Sequence, residues 1–376
     1  MKARPRISLV IPTRERSDTL VHTLRSAVIQ QSDRYEIVVS DNFSQDQTRE
    51  VVSSIGDSRI RYLNTGRRLS MSDNWEFALE HVAGEYCIFI GDDDAVLPWA
   101  IDRLENVIIN TTPSVYTWDT PIYTWPIDGR DPEVTRLPRL RKNRMIRIEP
   151  AVRIGMAFGG WLARRVPGIY HACASMEIMG KIKARTGRVF HTTQPDLFVL
   201  LAIPVFVNDA YFLGSPVTAH GRSAKSASGS VLSSQGSKFA DRDVYEFGAY
   251  KLHPSLYPGV PRRARFIADA FLVARDKFPD YYSNLRFSYE AMWAFLCRIG
   301  NQSGATAKEL LQTRQQLKAH HPFSPGKFLL YYSIQMLAVA RRWILIRARG
   351  KKPVMNRIQM NIAEFATAYS EWVKRS

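Results

Sequence analysis

GEYCIFIGDDDAVLP, residues 84–98, decides how this chain is read. Its first half contains YCIFI (86–90), a short apolar run of the kind that fills a strand buried on both faces. Asp92, Asp93 and Asp94 follow directly, at what would be the strand's carboxyl end. Consecutive carboxylates repel one another unless something positive lies beside them. A divalent cation carrying a diphosphate meets that need, since hard cations take carboxylate oxygens and keep positions open for phosphate. The competing reading is a solvated acidic loop or a helix N-terminus, where aspartate is favoured without any ligand.

Working outward, the same strand signature recurs upstream at ISLVI (7–11) and EIVVS (36–40), with a shorter strand at Arg61–Leu63. Between these runs, Leu20, Leu24, Ala27 and Val28 repeat at helical spacing, and Trp75, Leu79 and Val82 share one helical face. Ser44 and Gln47 have the spacing of a capping box that would open the next helix. Downstream, Ile101, Leu104, Val107 and Ile108 mark a helix after Pro98. Alternating strands and helices predict an α/β fold: a doubly wound, mostly parallel sheet with right-handed crossovers and helices on both faces. Ligands of such sheets bind beyond the carboxyl ends of the strands. Two further polar segments fall at such ends, IPTRER (11–16) and VVSDNFSQDQT (38–48). In the second, Asp41 and Asn42 suit a base edge or a ribose, although the Ser/Asp cluster could equally cap a helix.

With 376 residues, 45% hydrophobic and 23% charged, the chain can bury a large core and is not disordered as a whole. The opening MKARPRISLV lacks the apolar stretch of a signal peptide, and Cys87, Cys173 and Cys297 lie too far apart for a disulfide framework or metal-ligand spacing. A reducing cytosol is expected. The net charge of +17 is unevenly spread: residues 1–112 hold 13 basic against 17 acidic side chains, and the remainder 39 against 18. Such asymmetry points the later part toward an anionic partner, or toward solubility alone.

Residues 113–240 are less regular, with a Pro- and Trp-containing stretch near 116–126 and a basic run, RLPRLRKNRMIR, at 136–147. HGRSAKSASGSVLSSQGS (220–237) has few large apolar groups to anchor it and is expected to be a mobile lid. From 241 to 376 the pattern is largely helical, after a turn-rich HPSLYPGVP at 253–261. Within FLLYYSIQMLAVARRWILI (328–346) the apolar stretch before Arg341 is about 13 residues, short of the ~20 needed to span a bilayer. With RARGKK (347–352) behind it, this segment reads as an interfacial helix or as a core helix.

In order and spacing the N-terminal motifs resemble the family 2 glycosyltransferases of bacterial surface-polysaccharide type, which have the GT-A fold. The resemblance covers about residues 5–110 and rests on PTRER (12–16), DNFSQDQT (41–48), NTGRRLSMSDNWEFAL (64–79) and GEYCIFIGDDD (84–94). It implies a GT-A domain over 1–240, with 1–112 binding nucleotide and 113–240 binding acceptor, followed by a helical region over 241–376. It further implies an inverting transfer from a nucleotide-sugar, UDP-linked, assisted by Mn²⁺ or Mg²⁺. Pro12, Thr13, Glu15, Asp41, Asn42, Arg68, Asn74, Asp92, Asp93 and Arg222 would bind the donor, while Asp93, Asp94 and His220 would hold the metal, Asp93 foremost. Arg14 and Glu15 stand where the family has an aromatic and an asparagine, and Gly91 where it has a first carboxylate. The general base needed by an inverting reaction is expected at Asp196 in HTTQPDLFVLLAI (191–203), with Glu177 and Asp209 as lesser contenders. Acceptors implied are growing polysaccharides or lipid-linked saccharides, at the cytoplasmic face of an anionic membrane, without nucleic acid. Two other readings are a basic nucleic-acid binder, for which no recognised module is present, and a nucleotidyltransferase, whose Gly-rich, Lys-containing loop is missing after the first strand.

Overall fold

A computed structural model describes residues 4–157, 166–226, 252–256, 262–285, 287–299, 323–348 and 360–375, together with 308, 311, 312, 314 and 315. Strands β1 (Ile7–Thr13), β2 (Tyr35–Asp41), β3 (Ile60–Asn64) and β4 (Tyr86–Phe89) run parallel, in the order β3-β2-β1-β4. Helices α1 (Ser17–Val28), α2 (Thr48–Ile55) and α3 (Met71–Glu80) make the crossovers between them. Successive side chains of a strand face opposite sides of a sheet. Ile7, Leu9 and Ile11 accordingly enter one apolar cluster and Val10 the other, and Ile37 and Val39 are separated from Val38 in the same way. Both faces are therefore covered, which is why the strands read as unbroken apolar runs.

After β4 come the two-residue β5 (Ala95–Val96) and α4 (Ala100–Thr111), then β6 (Val115–Trp118), β7 (Ile122–Thr124), β8 (Glu133–Arg136) and β9 (Arg144–Arg147). Helix α5 (Glu149–Ala157) precedes β10 (Ala172–Ser175), α6 (Met176–Thr186), α7 (Pro195–Phe206), β11 (Asp209–Leu213) and β12 (Thr218–Arg222). The main sheet has eight strands, ordered β3-β2-β1-β4-β10-β6-β11-β9, with β10 antiparallel to both neighbours and β9 antiparallel to β11. A second sheet has the order β5-β12-β7-β8. The stretch expected to be irregular thus holds short strands: three- to five-residue elements give too few alternations to read.

Five further helices are α8 (Arg262–Lys277), α9 (Pro279–Tyr282), α10 (Tyr289–Ile299), α11 (Pro325–Ala348) and α12 (Ile362–Arg375). α8 packs with α7 on the cluster behind Val10, and α10 pairs with α11. α12 returns to the other face of the sheet: Ile362, Phe365, Ala366 and Tyr369 are at most 1% exposed and share one cluster with Leu20 and Leu24 of α1. No described helix is long and apolar enough to cross a membrane.

One local expectation is corrected. Helix α2 opens at Thr48 without a side-chain cap from Gln47. Asp46 supplies the acceptor instead, its carboxylate taking the Thr48 amide at 3.1 Å and the Ser17 amide at 2.9 Å. Ser44 is drawn away because its hydroxyl accepts from the Glu15 amide at 2.9 Å. A single aspartate tying two helix starts outcompetes the box.

Candidate active site

The carboxyl ends of β1, β2 and β4 converge, and the three aspartates after β4 are at most 2% exposed. They are not alike. Asp92 and Asp93 are clamped by Arg16, from the loop after β1: Nη1 lies 2.6 Å from Asp92 Oδ1 and Nη2 2.9 Å from Asp93 Oδ2. Thr13 Oγ1 donates to Asp92 Oδ2 at 2.7 Å, and the Ser223 amide to Asp93 Oδ2 at 2.9 Å. Ser223 Oγ accepts from Arg16 Nη2 at 2.5 Å, closing the ring. Burial works against the Arg16 charge, but Asp92 and Asp93 outweigh it and raise the guanidinium's pKa. Burial pushes Asp92 up to about 6 despite Arg16, with the charge of Asp93 adding to it.

Asp94 faces the other way. Its oxygens accept from Tyr170 Oη, the Gly91 amide and the Gly221 amide, each at 2.6 Å. His171 Nε2 lies 3.2 Å and His220 Nδ1 3.4 Å from the same carboxylate, and the two nitrogens are 3.0 Å apart. Burial alone would raise the Asp94 pKa, yet the charges and hydrogen bonds of the two imidazoles hold it well below the usual carboxylate range. One carboxylate and two imidazoles, with ligand atoms within 4.8 Å of one another, form the only metal-competent group of three among the described residues. That donor set fits a divalent transition ion such as Mn²⁺ better than Mg²⁺, which takes oxygen almost exclusively.

Local folding accounts for the arrangement. β5 leaves the aspartates and β12 pairs with it (Thr218 with Val96, Ala219 with Ala95), so β12 carries His220 back to them. β12 runs so close that a Cβ on Gly221 would overlap the Asp93 carbonyl oxygen, so only glycine serves there. Gly91 has a related role: a Cβ would lie 2.9 Å from Asp93 Oδ1 and 3.0 Å from Tyr170 Oη. Where relatives of the motif carry a carboxylate, this chain leaves space for a tyrosine hydroxyl. Tyr170 and His171 arrive from the segment ahead of β10, pinned by the Phe89 amide on Ile169 O and the His171 amide on Phe89 O. His171 adopts φ +51°, a left-handed conformation that a non-glycine residue holds at some cost and mostly at functional sites.

Beside the clamp, the ends of β1 and β2 enclose a cleft of about 340 Å³ lined by Arg14, Glu15, Phe43, Gly66, Arg67 and Arg68 among others. That is large enough for a nucleoside. Phe43 stands 43% exposed at φ +58°, while Glu15 accepts from the Gln45 amide at 2.9 Å. Asp41 lies beneath, 1% exposed, accepting from Tyr62 Oη at 2.6 Å, Asn64 Nδ2 at 3.1 Å and the Ser44 amide at 2.9 Å. Asn42 exchanges both its amide groups with the backbone of Leu69, at 2.9 and 2.8 Å. Asn74 is buried against Ser40, at 2.7 Å. These two asparagines shape the loops around the cleft from within.

Thr13, Asp92, Asp93, Asp94 and His220 thus meet in one corner, with Pro12 one residue before Thr13, Arg222 two residues after His220 on β12, and Glu15 and Arg68 in the adjoining cleft. Asp93, expected as foremost metal ligand, is held by Arg16 and Ser223, and the imidazoles gather on Asp94. Asp196 lies in the first turn of α7, half-buried, near enough for its charge to help raise the Tyr170 pKa, after burial and the charges of Asp94 and Asp93. Asp209 and Glu177 face outward, 40% and 69% exposed, paired with Arg147 and Lys181. Of the expected lid, residues 220–226 are not loose: they complete β12 and a turn tied to the carboxylates, because the Gly221 and Ser223 amides find buried acceptors. Residues 227–237 lie outside the described residues. Arg16, Phe43 and His171 had not been singled out. Arg16 and Phe43 sit inside quoted motifs, but His171 is 49 residues from His220 and no spacing signals it.

Removing the clamp should be costly, because a buried carboxylate pair left without its partner loses about 3–5 kcal/mol. Arg16→Met is expected to lower unfolding stability by that order in urea near neutral pH. A carboxyl group with a raised folded-state pKa costs stability as pH climbs from its ordinary range through about 6. Without Arg16 that pKa rises further, so the gap between variant and wild type narrows as pH falls below about 6. A gap independent of pH contradicts the clamp.

Comparison with known proteins agrees with this reading. Residues 8–166 match the family model "Glycosyl transferase family 2". A GalNAc(5)-diNAcBac-PP-undecaprenol beta-1,3-glucosyltransferase of Campylobacter jejuni is 34% identical over 103 residues, 27% of this chain and 33% of that protein. The UDP-Glc:alpha-D-GlcNAc-diphosphoundecaprenol beta-1,3-glucosyltransferase WfaP of Escherichia coli is 28% identical over 102 residues, 27% of this chain and 39% of that one. The chain therefore spans little more than a third of the curated relatives it matches. Among solved structures, S. aureus TarS 1-349 in complex with UDP-GlcNAc superposes with a TM-score of 0.50 at 12% identity, over 79% of this chain and 72% of that one. At that identity the likeness concerns the fold alone, and it is the fold expected here. From its first strand to the segment before β10, this chain is similar to the family 2 glycosyltransferases, and its fold is of GT-A architecture.

Proposed function

We propose that the protein is an inverting glycosyltransferase that moves a sugar from a UDP-sugar to a growing or lipid-linked bacterial saccharide. The observation that carries the proposal is the junction of the two halves of the corner: a nucleoside-sized cleft beside a Lewis-acid-competent cluster. The cleft suits the nucleoside, with Phe43 offering a ring face to the base and Arg14, Arg67 and Arg68 offering charge. Asp94, His171 and His220 would hold the divalent ion, which when bound supplies positive charge for the departing diphosphate. Arg222, next to Gly221 on β12, would add positive charge for the diphosphate. Asp196 would take the proton from the acceptor hydroxyl as that oxygen attacks the anomeric carbon and UDP leaves. Tyr170 donates its hydroxyl to Asp94, and Asp196 lies near enough for its charge to help raise the Tyr170 pKa. The two relatives named for undecaprenol-diphosphate-linked acceptors support a lipid-linked acceptor.

The primary test is thermal stabilisation by UDP with and without Mn²⁺, followed by a screen of nucleotide-sugars for hydrolysis. Stabilisation by UDP that requires Mn²⁺ is expected; indifference to both ends the proposal. Base stacking on an aromatic ring contributes about 1–3 kcal/mol. Phe43→Ala should therefore weaken UDP binding about 5- to 150-fold by calorimetry, and leave Mn²⁺ binding unchanged. Unaltered UDP affinity would remove Phe43 from the site.

A further inference from the structure

We propose that helix α11 lies flat in the surface of an anionic lipid leaflet and docks the transferase there. The inference deepens the lipid-linked acceptor reading and rests on it for its purpose, though not for its physical basis.

One side of α11 belongs to the protein. Gln335 is fully buried, its Nε2 donating to Ala291 O at 3.1 Å and its Oε1 accepting from Arg298 at 3.3 Å, both on α10. Phe328 and Tyr332, stacked at 5.9 Å, flank it. The opposite side carries Leu329, Leu330, Met336, Leu337 and Ile344, between 43% and 69% exposed. At about 100° per residue these five fall on one stripe roughly 120° wide, facing away from Gln335. A single exposed leucine needs no explanation, whereas a continuous stripe of five marks a surface meant to be covered.

Charge identifies the cover. From residue 310 to residue 363 the sequence holds ten Lys or Arg and no Asp or Glu, although the whole chain has 35 acidic residues. A second copy would bring another ten cations from the same stretch of sequence, which offers no carboxylate to receive them. Nucleic acid would satisfy the cations and leave the leucines in water. An anionic leaflet satisfies both, taking the apolar stripe to the depth of the acyl boundary and the Lys and Arg side chains at its headgroups. Because no described helix can span a bilayer, attachment is in-plane. Leverage is available on both sides: α10 precedes the helix, and α12 after it packs on β5, the strand that leaves Asp94.

The test is flotation of the full chain with vesicles of phosphatidylglycerol and phosphatidylethanolamine, or of phosphatidylcholine alone, at low and high salt. Wild type should float with the anionic vesicles, release as salt rises, and stay behind with phosphatidylcholine. The double substitution Leu330→Glu, Leu337→Glu should reduce the vesicle-bound fraction at least about tenfold, with UDP–Mn²⁺ stabilisation unchanged. The milder Leu330→Ser, Leu337→Ser pair, should the first fail to fold, is expected to give an intermediate loss. Equal flotation of the variants, equal binding to both lipids at all salts, or no flotation overturns the proposal. So does a lipid-free dimer that the substitutions dissociate, or duplex DNA held more tightly than vesicles. Loss of UDP binding with flotation intact would instead count against the transferase reading and leave the docking surface standing.

Discussion

Exchanging Asp94 for asparagine is expected to lower sugar transfer by a factor on the order of 10²–10³, the usual cost of losing a preorganised charge at a departing oxyanion. The carboxylate accepts three hydrogen bonds of 2.6 Å and faces two imidazoles. An amide keeps the shape but turns one acceptor into a donor, which must then point at an N–H or O–H that is itself donating. Bound Mn²⁺, measured by equilibrium dialysis, should fall together with turnover. A pH dependence also follows. Because the Asp94 pKa is depressed in the folded protein, its stabilising contribution is complete above the ordinary carboxylate range, near 3.8, and is lost as pH falls through the lower folded value. Urea midpoints of wild type and variant should therefore converge in acid. An asparagine variant that keeps more than about a tenth of wild-type turnover, with its metal, excludes Asp94 from this role.

The second large effect is expected at Asp196. General-base catalysis contributes about 10²–10⁴ in rate, so Asp196→Asn should reduce turnover by that range while UDP and Mn²⁺ bind as before. That split separates a base from a structural carboxylate, which would disturb binding and folding together. The acid limb of the pH–rate profile, which reports ionisation of the base, should vanish in the variant's residual activity. If that limb persists, or if Glu177→Gln or Asp209→Asn costs more than Asp196→Asn, the proton is taken elsewhere.

Much of residues 1–112 was legible because the strands there are long enough to show pattern and are buried on both faces. The Asp-rich loop was readable for a related reason: three buried carboxylates need compensation, and sequence alone makes that need visible. What sequence could not tell was which cation compensates which carboxylate. Arg16 lies four positions beyond Pro12 in a motif read for its resemblance, and only the turn after β1 brings its guanidinium onto Asp92 and Asp93. His171 is a lone histidine whose partner arrives on β12, a contact made by the second sheet and by no periodicity. The family's aromatic is missing at Arg14, but Phe43, from the neighbouring strand end, lines the same cleft, a placement in space that linear motif comparison does not register. The strands between residues 115 and 147 were missed since three or four residues carry almost no alternation, and pairing partners decide their state.

The position of α12 has a consequence for how the molecule comes into being. Ile362, Phe365, Ala366 and Tyr369 seal the layer over α1 and β5, and Tyr123 Oη and Tyr369 Oη tie that layer to Met360 and Pro138. A ribosome releases the first hundred residues long before it makes these four. The nascent amino-terminal half must therefore wait with an apolar flank uncovered, and a messenger cut short late in its reading frame would yield a chain that holds the whole candidate site yet cannot shut its own core.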